Sequence, residues 1–163
     1  MCSILADNKM VINRVYTSRL QRSVSTAYPL ALELGVPLIV SSALSKTAAA
    51  VEIAEWDLSP FLFQTLENLR ELCPGVDVID GDQMGSAPQL VYEPKGHWSD
   101  PLKNIAMTDP ISIVVAHRET IKNVMKKKFR VSYCAIGDFN FVPESEIFSL
   151  NSMYNRDGSE HEC

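Results

Sequence analysis

The chain lacks any apolar run approaching the ~18 residues that a membrane span requires. It also lacks internal repeats, low-complexity segments and a Gly/Ser linker. These absences exclude a helical membrane protein, a solenoid and a string of tethered modules. The first residues, Met1-Cys2-Ser3-Ile4-Leu5-Ala6-Asp7, have no positively charged start and no long apolar stretch, so no secretory leader is expected. Cysteine is sparse and scattered: Cys2, Cys73, Cys134 and Cys163 form no Cys-x-x-Cys pair and no paired spacing. Reduced thiols and a cytoplasmic location are the expectation. His, Cys and carboxylates nowhere fall at ligand spacing, so no metal is expected, and no Gly-rich phosphate loop supports a nucleotide cofactor. Basic charge is also scarce, with 15 Lys+Arg against 20 Asp+Glu and a formal net charge of −5. Such a surface repels nucleic acid overall, so any phosphate binding has to come from a local pocket.

What is present is an ordinary globular composition, with 46% hydrophobic and 21% charged residues among 163. A chain of that size can build one core without staples. We read residues 1–150 as a single α/β domain and 151–163, polar and without periodicity, as a frayed tail. Met10 to Tyr16 reads as a first strand. A helix follows, with Ser18 as its cap and Gln21 completing a capping box. Leu20, Val24, Ala27, Ala31 and Leu34 form its buried stripe, Gly35 ends it and Pro37 blocks continuation. Val36 to Val40 reads as a second strand, and Lys46 to Glu55 as an alanine-rich helix. A helix starting at Pro60 carries Leu62, Leu66 and Leu69 inward and stops near Pro74-Gly75. Val76 to Ile79 is a brief extended piece, and Gly81 to Gly96 a loop.

Ser99-Asp100-Pro101 opens a further helix with Leu102, Ile105 and Ala106. Ile111 to Ala116 is the strongest strand, and its continuous apolar character predicts a central parallel strand covered on both faces. Glu119 to Phe129 reads as helix, with Lys126, Lys127 and Lys128 as a solvated last turn. Val131 to Ile136 and Glu146 to Leu150 read as closing strands around a turn at Gly137-Asp138. The resulting architecture is a three-layer α/β/α domain with a mostly parallel central sheet.

Two strand-to-helix junctions are where chemistry is expected. One is Tyr16-Thr17-Ser18-Arg19-Leu20-Gln21-Arg22, and the other is Val114-Val115-Ala116-His117-Arg118-Glu119. In open α/β sheets ligands bind beyond the carboxyl ends of strands, beside helix N-termini whose amides attract phosphate. Taken singly, Arg22 reads more readily as a surface residue, and His117 divides evenly between a ligand contact and a satisfied buried imidazole.

Together, the two segments resemble motifs of the histidine phosphatase superfamily, the phosphoglycerate mutase-like proteins. Ser18, Leu20, Arg22, Thr26 and Ala27 match a Ser-x-Leu-x-Arg-Ala-x-x-Thr-Ala pattern, with Ser23 in the alanine position. Ile111 to His117 is similar to the family's later strand ending in histidine. The resemblance covers about Val11 to Asn151. It implies a phosphoglycerate mutase-like fold and phosphoryl transfer through a phosphohistidine. It further implies that Arg22, Ser18 and His117 bind phosphate, and that His117 stabilises charge in the transition state. Glu52, or Glu55, is the candidate proton donor, with Glu52 preferred although the usual Leu-x-Glu pattern is missing. No cofactor and no metal are implied, and the partner would be a small phosphorylated substrate or a phosphoprotein.

The family's nucleophile motif, Arg-His-Gly, does not occur; the three histidines are His97, His117 and His161. Neither His97, in Gly96-His97-Trp98, nor His161 has the nucleophile's context. Only 17 residues precede Ser18, so the resemblance implies that the N-terminal strand is missing. Three readings remain open. One is an N-terminally incomplete phosphatase or mutase domain, another is a non-catalytic protein that binds a phosphate ligand or a partner, and the third is an unrelated flavodoxin-like α/β domain, for which no Gly-rich phosphate loop is present. With that strand lost, an unpaired edge beside Val11 to Tyr16 is expected, and self-association through it.

Overall fold

The structure, a computed structural model, describes residues 11–44, 64–82, 99–109, 111–117, 124 and 135–154. Four parallel strands form its sheet: β1 (Arg14–Ser18), β2 (Leu38–Ser41), β3 (Val78–Asp80) and β4 (Ser112–Val115), in the order β3-β2-β1-β4. Register pairs Thr17 with both Val40 and Val115, so β1 is bonded on its two sides. Helix α1 (Gln21–Leu34) and helix α2 (Leu66–Leu72) join successive strands, and α3 (Ser99–Thr108) precedes β4.

Alternation along the strands sends side chains to two faces. Val15, Leu38, Val40 and Val78 pack with Val24, Ala27 and Ala31 of α1 and with Leu69 and Cys73 from α2 and its C-cap. Tyr16 and Ile39 face the other way, toward Ile105 and Leu102 of α3 and Leu44 of a short 3₁₀ turn. The chain is therefore a three-layer α/β/α fold around a parallel sheet. Each fully buried aliphatic side chain in these layers contributes about 1.5–3 kcal/mol of transfer free energy.

Helix α1 forms where its apolar spacing predicts, and Gly35, at φ 65°, ends it while its amide donates to the Leu32 carbonyl. Its start differs from expectation. Ser18 is the last residue of β1, fully buried opposite Ser41, and the helix N-cap is Leu20 with no side-chain cap bond. The capping box fails because the strand continues two residues beyond Tyr16 and claims Ser18. Thr65 does cap α2, accepting from the Asn68 amide at 3.2 Å.

Four further expectations are corrected. β4 pairs directly with β1, so β1 is paired on both sides and the gap expected beside it is filled. β4 is the last strand of the sheet among the described residues, and it is half-buried where full cover was expected. The turn expected at Gly137-Asp138 lies instead at Pro143–Glu146, between β5 (Ile136–Val142) and β6 (Ile147–Tyr154), an antiparallel pair. Phe141 stacks on Phe148 with ring centroids 4.9 Å apart, an aromatic pair that holds this register. At Gly137 the Phe139 ring lies against the backbone, and a Cβ there would require that ring to shift. β6 also runs through the segment expected to fray, with Met153 buried. Residues 155–163, and the helices expected at Lys46–Glu55 and at Glu119–Phe129 apart from Val124, lie outside the described residues.

The N-terminal end of β1 is fastened by Asp109, a buried carboxylate. It accepts from Asn13 Nδ2 at 3.2 Å and from the Tyr16 hydroxyl at 3.4 Å, and Arg14 Nη1 stands 3.7 Å away. The hydrogen-bonded Tyr16 hydroxyl raises the Arg14 guanidinium above its already high value, with Asp109 adding to it. Burial pushes the Tyr16 phenol up, and the Asp109 charge adds to that shift. A phenol raised in the folded state stabilises the fold fully below the unfolded phenol's value of about 10. That contribution is lost as pH climbs through the folded value. In urea titrations between pH 8 and 11.5, wild type should therefore lose more stability above about pH 10 than Tyr16→Phe. Parallel pH profiles for the two proteins would contradict this account of Tyr16.

Candidate functional site

β1, β2 and β3 advance one way across the sheet, and β4 returns to the opposite side of β1. The strand order thus reverses between β1 and β4. In open α/β sheets the crevice at such a switch point, at the carboxyl ends of the strands, is where ligands bind. Thr17 Oγ1 donates to the Val115 carbonyl at 3.4 Å, so the two strand ends stay side by side. The first junction and the described part of the second, Val114 to His117, lie at this edge.

Ser18 is the last residue of β1 and fully buried, and its Oγ has no hydrogen-bond partner among the described residues. Burying such a hydroxyl unsatisfied costs about 1–3 kcal/mol. Arg22 is the second residue of α1 and exposed. His117 lies two residues beyond β4 and is half-buried. The N-terminus of α1 carries no acidic residue in its first turn and no side-chain cap. Glu52, Glu55, His97, His161 and Arg118 lie outside the described residues. Among the described residues no group of His, Cys, Asp and Glu could hold a metal ion. Cys73 is a free thiol in the core, and burial pushes its pKa up, which leaves it a poor nucleophile.

The same edge holds a polar network that the sequence reading passed over. Arg19 Nη2 reaches across β2 to Asp80 Oδ1 at 2.6 Å and Asp82 Oδ2 at 3.1 Å. Asp82 in turn accepts from Ser41 Oγ at 2.7 Å, from Ser42 Oγ at 2.8 Å and from the Ser42 amide at 3.1 Å. One guanidinium and one carboxylate therefore link the ends of β1, β2 and β3. Gly81 makes the turn possible, because a Cβ there would stand 2.9 Å from Ile39 Cγ2 and 3.2 Å from the Val40 carbonyl. The signal was available as Asp80-Gly81-Asp82 directly after an apolar strand, and as an arginine between Ser18 and Leu20. Neither has a helical or strand period to draw attention to it.

Against known proteins, the chain matches no protein-family profile, no curated protein and no solved structure. No helix among the described residues is long and apolar enough to cross a membrane.

Asp82→Ala would strand two serine hydroxyls, one amide and part of Arg19. It should lower the unfolding free energy by about 1–3 kcal/mol, measured by urea denaturation. A variant as stable as wild type would mean that the strand ends are held by something other than this network.

Proposed function

We propose that this chain is a phosphoglycerate mutase-like domain that binds phosphomonoesters in the crevice between the ends of β1 and β4. The observation that carries the reading is the coincidence of two independent features. The motif Ser18-x-Leu20-x-Arg22 and the strand ending in His117 were identified in the sequence, and the strand order reverses between those two strands. In this reading the uncapped start of α1 and the Arg22 fork bind the phosphoryl oxygens, and the Ser18 hydroxyl and the His117 imidazole supply further hydrogen bonds. Glu52 keeps the role of proton donor that the resemblance implies.

The absence of Arg-His-Gly from the sequence favours recognition over turnover. A phosphohistidine mechanism needs a histidine aligned for in-line attack, and removing the nucleophile of such a machine removes most of its rate. Calorimetric titration with inorganic phosphate or vanadate should give a dissociation constant in the millimolar range. Arg22→Ala should weaken it markedly, because the fixed charge and its bidentate geometry are lost. Hydrolysis of a generic phosphomonoester should stay near background. No anion binding by wild type, or binding indifferent to Arg22→Ala, would overturn the reading. Rapid turnover with a trapped phosphohistidine would overturn the assignment to recognition.

A further inference from the structure

We infer that Arg19 is a positioning residue for this crevice: it meets no ligand, and its hold on Asp80 and Asp82 fixes where Ser18 and the first turn of α1 stand. The inference rests on the phosphate-binding reading above. Arg19 is one of only two residues between the last position of β1 and the first of α1, so its backbone sets the entry angle of the helix. Most helices fix that entry locally, through a side-chain cap. Here Leu20 is the N-cap and offers none. The two side-chain contacts of Arg19 with Asp80 and Asp82 supply a tertiary substitute, and its carbonyl is held as well, accepting from the Gln64 amide at 3.2 Å. Asp82 is itself fixed by Ser41 and Ser42, so the hold runs to the end of β2 and does not depend on one flexible side chain.

Charge separates the two arginines of the motif. Arg19 faces two carboxylates, which leaves that cluster with an excess negative charge and no attraction for an incoming anion. Arg22, three residues on, is exposed on the first turn of α1, a turn that itself contains no acidic residue.

Asp80→Asn tests this directly, because electrostatics and positioning predict opposite signs. Removing a negative charge near the crevice would tighten phosphate binding if charge alone mattered. Loss of the Arg19 anchor should instead weaken it, by about fivefold. Arg19→Gln should weaken binding to a similar degree, Arg19→Lys should recover most of it, and the Arg19→Gln/Asp80→Asn pair should be no worse than either single change. All are measured with inorganic phosphate on full-length protein, at a temperature where circular dichroism shows each variant folded. Unchanged or tighter binding by Asp80→Asn, with Arg22→Ala still impaired, would overturn the positioning role and leave the phosphate site standing. The same holds if Arg19→Gln only lowers the unfolding midpoint while Asp80→Asn binds as wild type. Absence of phosphate binding by wild type would overturn both.

Discussion

The parallel ladders on both sides of β1 are the constraint on which the rest of this structure depends. Five residues, Arg14–Ser18, pair with β2 on one side and β4 on the other. A strand in that position must place its backbone polar groups in the two ladders and its side chains in two apolar layers. Val15 and Tyr16 satisfy the second demand, each reporting to a different core. The demand also explains why polar side chains gather at the two ends. Asp109 gathers Asn13, Arg14 and Tyr16 at the start of β1, and Arg19 is held by acids just past its finish. The fold is thus pinned along β1 by apolar packing and fastened at each end by a carboxylate system.

Because both neighbours of β1 are parallel, all four carboxyl ends lie at one edge. Charge at that edge is divided. On the β2–β3 side, Asp80 and Asp82 outnumber Arg19, and their lone pairs are taken up by Ser41, Ser42 and the guanidinium. Just beyond β1 and β4 lie the start of α1, with Arg22 in its first turn, and His117. An anion approaching the edge is disfavoured beside that acidic pair. The proposed crevice lies away from that pair, between the ends of β1 and β4, and in our proposal the acidic network holds its scaffold.

Features governed by local chemistry were legible in the sequence. The stripe Leu20, Val24, Ala27 and Ala31 is buried as its spacing predicts, and Gly35 takes the left-handed conformation that only a residue without Cβ adopts cheaply. Features decided by competition between local and long-range pairing were not. Ser18 has the chemistry of a cap, yet pairing with Ser41 extends β1 over it. Gly137-Asp138 has the chemistry of a turn, yet the Phe141–Phe148 pair continues the hairpin past it and moves the turn to Pro143–Glu146. There Glu146 adopts φ 52° and its carboxylate meets Lys103 Nζ of α3 at 2.7 Å, which holds that exposed acid below its ordinary pKa. The candidate site divides in the same way. Ser18, Arg22 and His117 stood out as a motif, whereas Arg19 acquires its role only from acids 61 and 63 residues away, which no spacing rule connects to it.

The central claim is that the crevice between β1 and β4 is a phosphate site. The most direct test is amide chemical-shift mapping of uniformly labelled protein titrated with inorganic phosphate. The account predicts saturable shifts at Ser18 to Ser23 and at Ala116 and His117, with the β5–β6 hairpin unmoved. Shifts confined to the hairpin, or none at the ends of β1 and β4, would contradict it.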